Sequence, residues 1–309
     1  MTHRMHSQLG GLLVVALAVS IAAGCGGGKA KSTGASTTTS SATTAAAAAT
    51  GVSSTIAAEV PAKIKSKGTL RIAADATYPP NEFVGSNGKT LTGWDVELGQ
   101  ALGKVMGLNW RFVNATFDTI IPGLQSGKYD IGMSSFTDTK ARQKVVDFVT
   151  YFSAGTSFYV KPGGPTINSL AGLCGHSVGV ERGTTQASDA TAQSARCKKA
   201  GKPGVGVHVY PDQNAANLAI ESGRQEVGMA DSPVAAYIVK QSSGKFKLAG
   251  KPYNTAPYGI AIPKSNGMTR PILDALKKLM TDGTYTTLLK KWGVQQGAIN
   301  NPTINGATS

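Results

Sequence analysis

Two α/β units with parallel strands are predicted from two features of the chain. Short apolar or alternating runs are separated by stretches of helical periodicity, and that pattern restarts near Ser157. With 309 residues, 41% of them hydrophobic and 16% charged, the chain can bury the core of one large or two medium domains.

The first unit begins after Gly68. Thr69-Leu70-Arg71-Ile72-Ala73 alternates as a strand and ends in Asp75-Ala-Thr-Tyr78-Pro-Pro80, where two prolines predict a loop. Trp94, Leu98, Ala101, Leu102 and Val105 share one helical face, and Trp110 to Val113 reads as a strand. A second helix carries Ile120, Ile121 and Leu124, with Pro122 in its first turn. Strand Ile131 to Met133 then opens into Ser134-Ser-Phe-Thr-Asp-Thr-Lys-Ala-Arg142.

In the second unit, strand Ser177 to Val180 runs into Glu181-Arg-Gly-Thr-Thr-Gln186 and a polar helix up to Gly201. Strand Val205 to Tyr210, helix Gln213 to Ser222 and strand Glu226 to Met229 follow, and Asp231-Ser-Pro233 opens another helix. Strand Tyr258 to Pro263 and helices Leu273 to Met280 and Tyr285 to Trp292 lead back to the first unit.

The ends of the chain differ in composition. His3, Arg4 and His6 precede an apolar run, Leu12 to Val19, too short to span a bilayer, and Ala22-Ala-Gly-Cys25 resembles a bacterial lipoprotein cleavage site. Residues 1–24 then form a signal peptide and Cys25 carries a lipid that holds the protein at the membrane. The alternative is a soluble secreted protein cut nearby. Residues 25–62 are Gly, Ser, Thr and Ala with few large apolar side chains, which predicts a flexible tether; residues 297–309 read as a disordered tail. Cys174 and Cys197 remain to form a disulfide in an oxidising exterior, the alternative being two free buried thiols.

A net charge of +14 invites a nucleic-acid reading, yet the lysines and arginines are scattered and the chain is exported. Attraction to an anionic surface within a Debye length of about 8–10 Å is the safer inference. His3, His6, His176 and His208 have no metal-ligand spacing, and neither a nucleophile–base pair nor a phosphate loop is visible, so no metal and no cofactor are expected.

Ligands of open α/β sheets lie beyond the carboxyl ends of strands. Asp75, Phe117 and the hydroxyls Ser134, Ser135 and Thr137 all fall there, with Arg142 just beyond. Hydroxyls and carbonyls can hold an ammonium, and a guanidinium can grip a carboxylate with two parallel hydrogen bonds. This combination suits a small zwitterion; the alternative is that the hydroxyls only cap a helix starting near Lys140. Gly183-Thr184-Thr185, at a helix start, offers backbone N–H groups to a carboxylate. Asp231 suits either an ammonium or a helix N-cap.

From Gly68 to Trp292 the order of elements, with Asp75-Ala-Thr-Tyr78-Pro-Pro, Gly93-Trp-Asp-Val-Glu97, Phe117-Asp-Thr-Ile-Ile-Pro122, Ser134 to Arg142, Gly183-Thr-Thr-Gln186, Asp231 and Asp282-Gly-Thr-Tyr285, resembles the polar amino-acid-binding proteins of ATP-driven importers, extracellular solute-binding protein family 3. The resemblance implies a two-lobed periplasmic-binding-protein fold of type II joined by two crossover strands, with lobe 1 at 63–153 plus 258–296 and lobe 2 at 154–257. It implies a monomeric, extracytoplasmic, non-catalytic protein that closes on one free L-amino acid and passes it to an ABC permease.

Carried over by position, Arg142 binds the α-carboxylate with backbone N–H groups of Thr137 and Thr185, beside Thr184. Asp231 holds the α-ammonium with Ser135 and Thr137, near Ser134. Tyr78 and Phe117 sandwich the side chain, and Asp75 meets its polar end. Glu181 departs from the resembled pattern, in which glutamine binders often have lysine there and binders of histidine or of lysine, arginine and ornithine an apolar residue.

With Arg142 and Asp231 matched to the ligand's α-groups, Asp75 and Glu181 are left to face its side chain, and burying unpaired carboxylates costs several kcal/mol. A cationic ligand is therefore expected, arginine first, then lysine or ornithine. Glutamine or another polar amino acid becomes the expectation if Glu181 points to solvent or pairs with Arg182. Cyclohexadienyl dehydratases resemble the same fold and supply a rival class, with Glu181 or Asp75 as general acid; the presence of both Arg142 and Asp231 favours an amino acid over a prephenate-like dianion.

Overall fold

The computed structural model describes residues 51–307. The expected signal peptide, Cys25 and the tether up to residue 50 lie outside the described residues.

The chain runs α1 (Ser54–Glu59), α2 (Ala62–Lys65), β1 (Thr69–Ala74), β2 (Thr77–Tyr78), β3 (Glu82–Val84), β4 (Leu91–Thr92), α3 (Trp94–Val105), β5 (Asn109–Asn114), α4 (Phe117–Gln125), β6 (Ile131–Gly132), α5 (Lys140–Gln143) and β7 (Val146–Val160). It continues through β8 (Ser177–Glu181), α6 (Thr185–Lys199), β9 (Gly206–Tyr210), α7 (Gln213–Glu221), β10 (Val227–Asp231), α8 (Ser232–Gln241), β11 (Lys247–Pro263), α9 (Thr269–Thr281) and α10 (Thr284–Trp292).

Eight strands form one sheet in the order β5-β1-β6-β11-β7-β10-β8-β9. β1 is parallel to β5 and β6, and β8 is parallel to β9 and β10, so each end of the sheet is a parallel α/β unit. The long strands β7 and β11 pair antiparallel between them. β7 is buried along almost its whole length, as a strand covered on both faces must be, and its sequence VDFVTYFSAGTSFYV is correspondingly apolar. The pairing slips between Ala249 and Tyr253, between Tyr253 and Ala256, and between Tyr258 and Gly259. The lobe boundaries expected at 153/154 and 257/258 fall inside these two strands.

One core packs Leu70, Ile72, Trp94, Leu98, Tyr151, Ile260 and Leu276 around the first half of the sheet. A second packs Phe158, Leu173, Val178, Val180 and Met229 around the other half. Tyr78, Phe117, Phe136, Phe148, Tyr159 and Val234 form a third cluster where the halves meet.

Four expectations are corrected. Residues 51–62 are not tether throughout: Ser53 caps α1, and Ile56, Val60 and Ile64 are buried in the first core. Their spacing of four residues is the helical signal that the Ala/Thr/Ser composition obscured. The tail is also ordered to residue 307. Ile304 bridges to Val149, Thr303 exchanges hydrogen bonds with Thr150, Asn305 does so with Phe148, and the Ala307 N–H donates to Asp138. The Pro79-Pro80 segment joins β2 to β3 in a small antiparallel sheet, β2-β3-β4, rather than opening a plain loop. Pro122 is the sixth residue of α4, inside the helix rather than in its first turn, because the helix already starts at Phe117.

Cys174 and Cys197 form a disulfide that ties the turn before β8 to α6. Closing a loop of 23 residues restricts the unfolded chain by about 3 kcal/mol in the loop-entropy model. A Cys174→Ser, Cys197→Ser variant is therefore expected to lose about 3 kcal/mol in denaturant unfolding, with the slope altered as the unfolded state expands.

Candidate functional site

Four strand ends supply the site. β1 delivers Asp75, β6 delivers Ser134 to Thr137, β8 delivers Glu181 to Thr185, and β10 ends in Asp231. The chain turns sharply after Ser134, with Ser135 at φ +52°, a left-handed conformation that costs a non-glycine residue energy unless its neighbours hold it. They do hold it. Its N–H donates to Asp95 (3.1 Å), its hydroxyl donates to Glu82 (3.1 Å), and Asn81 donates to that hydroxyl (2.8 Å).

Glu82 and Asp95 are both fully buried, and burial raises both carboxyls, Asp95 to about 7. Two carboxyls this close cannot both ionise, so the pair retains a proton near neutral pH. Tyr151 donates to Asp95 (2.6 Å), and Ser134 donates to Glu82 (3.0 Å) while accepting from the Asp75 N–H (2.8 Å). Ser134 is thus a strut behind the site rather than a wall of it.

Beyond this turn, Thr139 caps the short helix α5 by accepting from the Arg142 N–H (3.2 Å). The helix-cap reading holds for that hydroxyl. The cap sets the direction of Arg142, whose guanidinium donates to the carbonyls of Thr137 (2.7 Å) and Gly183 (3.0 Å). It lies 5.2 Å from the ring centre of Phe117 and 5.4 Å from that of Phe136, and those rings stack on each other at 4.6 Å. Burial lowers the Arg142 pKa to about 10, leaving it charged at neutral pH.

On the opposite wall, Thr184 caps α6, accepting from the Ala187 N–H and donating to the Glu181 carbonyl. Asp231 precedes α8 but makes no side-chain cap. Its carboxylate instead accepts from Gln186 (2.7 Å) and from the Tyr258 hydroxyl (2.7 Å), and burial pushes it up to about 6. Two donors hold it with lone pairs to spare for an ammonium.

The walls touch. Arg142 reaches Gly183, the Gln213 N–H donates to the Thr77 hydroxyl (3.3 Å), and Arg182 lies 3.8 Å from Asp118. Gly183, at φ +78°, stands where a Cβ would come within 2.8 Å of Asp118, so only glycine allows this approach.

Glu181 is 1% exposed and neither of its oxygens has a hydrogen-bond partner. The Tyr78 hydroxyl, also unpartnered, and the Asp75 carboxyl are beside it without closing well-formed bonds. Burial, then the charge of Asp75, pushes Glu181 up to about 9. The pairing with Arg182 does not occur, since Arg182 turns to Asp118. Asp75 accepts from the Phe117 N–H and from the N–H and hydroxyl of Thr77, and burial still raises its pKa.

Eight of the predicted residues line one pocket: Tyr78, Phe117, Ser135, Thr137, Arg142, Thr184, Thr185 and Asp231. Asp75, Ser134 and Glu181 stand behind it. Gln186 and Gln213 also line the pocket and escaped the sequence reading. Each is the first or second residue of a helix that follows a strand end, a position from which both were findable. Phe136, between the hydroxyls, gave no signal that it would underlie the arginine.

The model of the bacterial extracellular solute-binding proteins, family 3, matches residues 70–295. The chain belongs to this family. The arginine-binding protein ArgT of Corynebacterium glutamicum is 32% identical over 251 residues, which cover 81% of this chain and 82% of ArgT. Among solved structures, an ancestral arginine-binding protein bound to arginine is 38% identical with a TM-score of 0.67, covering 73% of this chain and 98% of that one. AncCDT-1, an ancestral amino acid-binding protein that is a precursor of cyclohexadienyl dehydratase, is 36% identical with a TM-score of 0.64, covering 74% of this chain and 97% of that one. Family 3 proteins are extracytoplasmic solute-binding proteins, and this member has their type II two-lobed fold.

Proposed function

We propose that this family 3 protein captures a cationic L-amino acid, arginine first and then lysine or ornithine, and delivers it to an ABC permease as a lipoprotein anchored through Cys25. The observation that carries the ligand class is Glu181, a buried carboxyl with two unpartnered oxygens beside Asp75 and Tyr78. A guanidinium or ammonium supplies the donors these groups lack, whereas a glutamate side chain adds a further negative charge. Arg142 takes the α-carboxylate, Asp231 the α-ammonium, and Phe117 and Tyr78 border the aliphatic stem. The names of ArgT and of the arginine-bound ancestral protein agree with this reading. Contacts from both walls favour the closed arrangement through differential affinity.

The test is a thermal-shift panel on the protein with arginine, lysine, ornithine, glutamine and glutamate. A ligand at about 100 times its dissociation constant adds roughly 2.7 kcal/mol, so shifts confined to the cationic ligands are expected. A shift with glutamine alone contradicts the role of Glu181. A dehydratase reading draws on AncCDT-1 and on a Glu181 that keeps its proton at neutral pH. Asp231 opposes it, because it would meet a substrate carboxylate; turnover of prephenate or arogenate would reverse the preference.

A further inference from the structure

Behind the pocket wall at Tyr78 lies a cluster of acids and phenols, the floor on which Glu181 sits. Glu181 is faced by Asp75 at the end of β1, Tyr78 of β2, Asp212 before α7 and Tyr159 of β7. The Tyr159 hydroxyl is engaged with Gln213 and Asn217, and Asp75 is engaged with Thr77 and Phe117. None of the described groups acting on Glu181 is a cation, and the adjacent Arg182 is turned to Asp118. A carboxylate that closes no well-formed hydrogen bond, has only the Tyr78 hydroxyl beside it as a donor and no counter-charge, and is 1% exposed, is strongly disfavoured there.

We infer that capture is an exchange of cation for proton: the ligand's side-chain cation takes the place of one proton held by the Asp75–Glu181 pair, which passes to solvent. The inference rests on the cationic-ligand reading above and adds to it a defined stoichiometry. The O–H bond of the carboxyl breaks, the proton goes to water or buffer, and N–H···O contacts from the ligand replace it; no other bond changes. A pKa pushed up to about 9 in the free protein is consistent with the pair being protonated at neutral pH.

The direction of the pH effect follows from linkage. A group that holds its proton when free and loses it when bound makes binding tighter as pH rises, by tenfold per unit for one proton. Asp231 is a second titrating group, pushed up to about 6, and it meets the α-ammonium of any amino acid. It is largely ionised by pH 7, and the ligand's own α-ammonium stays largely charged to about pH 8. Asp95, pushed up to about 7, also titrates near this window, and comparison with Glu181→Gln subtracts its part.

The experiment is calorimetric titration of arginine into the full-length protein at pH 7 and pH 8, in phosphate and in Tris, whose ionisation enthalpies differ. About one proton released per arginine, with the dissociation constant falling about tenfold between the two pH values, is the expected result. Glu181→Gln, neutral at both values, is expected to bind with little proton release and little pH dependence. Arginine binding with no proton release, or a Glu181→Gln variant that releases the same proton, overturns the inference and leaves the cationic-ligand reading intact. Binding of glutamine but not arginine overturns the reading itself, and the inference with it.

Discussion

Arg142→Ala is expected to weaken amino-acid binding by roughly two to four orders of magnitude while leaving the protein folded. Two charge-assisted hydrogen bonds to a carboxylate are worth about 3–5 kcal/mol when both are lost, and the ligand's carboxylate would stay buried without its partner. The guanidinium is held by the protein's own groups: Thr137 and Gly183 each take one nitrogen, and the stacked rings of Phe117 and Phe136 lie against it. Arg142→Lys restores the charge but neither the fork nor the planar stacking, so it recovers only part of the loss. Calorimetry reads the affinity and circular dichroism the fold. An alanine variant within tenfold of the parent would remove Arg142 from the carboxylate.

Trp94→Ala is expected to cost about 3–5 kcal/mol of stability, the range for deleting a large buried aromatic. The ring is fully buried, tilted against Phe152 at 4.5 Å and Tyr151 at 5.7 Å. Its indole N–H donates to Asn81 (2.7 Å), which in turn donates to Ser135. The substitution thus opens a cavity and frees the strut under the strained Ser135. In a protein of this size that loss corresponds to a melting point lower by roughly 6–20 °C. Trp94→Phe keeps most of the volume and leaves Asn81 one donor short, so its cost separates packing from the hydrogen bond. A fall of under 1 kcal/mol for the alanine variant would show that the site collapses without strain.

The alternation of strands and helices was legible where strands are short runs ending in a polar turn; the long strands β7 and β11 were read only in part. β8, for example, was expected at Ser177 to Val180 and spans Ser177–Glu181. The pocket lining was legible where a strand ends in it, as β10 does at Asp231, and in the short helix α5 that carries Arg142. Residues whose role depends on what lies across the fold were not. Ser134 and Ser135 are adjacent hydroxyls with the same local signal and both donate to Glu82, yet only Ser135 lines the pocket. Nothing in the sequence neighbourhoods of Glu82 and Asp95 announces that two carboxyls will be buried together. The pairing of Arg182 with Asp118 joins residues far apart in the chain, so proximity to Glu181 in sequence was misleading.

The ordered C-terminal segment bears on how movement in this protein is observed. Residues 303–305 lie along β7, and the Ala307 N–H ends on Asp138, next to Thr137 and four residues before Arg142. A fluorophore placed at Ala307 therefore sits beside the loop that carries Thr137 and Arg142 rather than at a remote end. Its signal is expected to report on that loop, and its bulk to press on it.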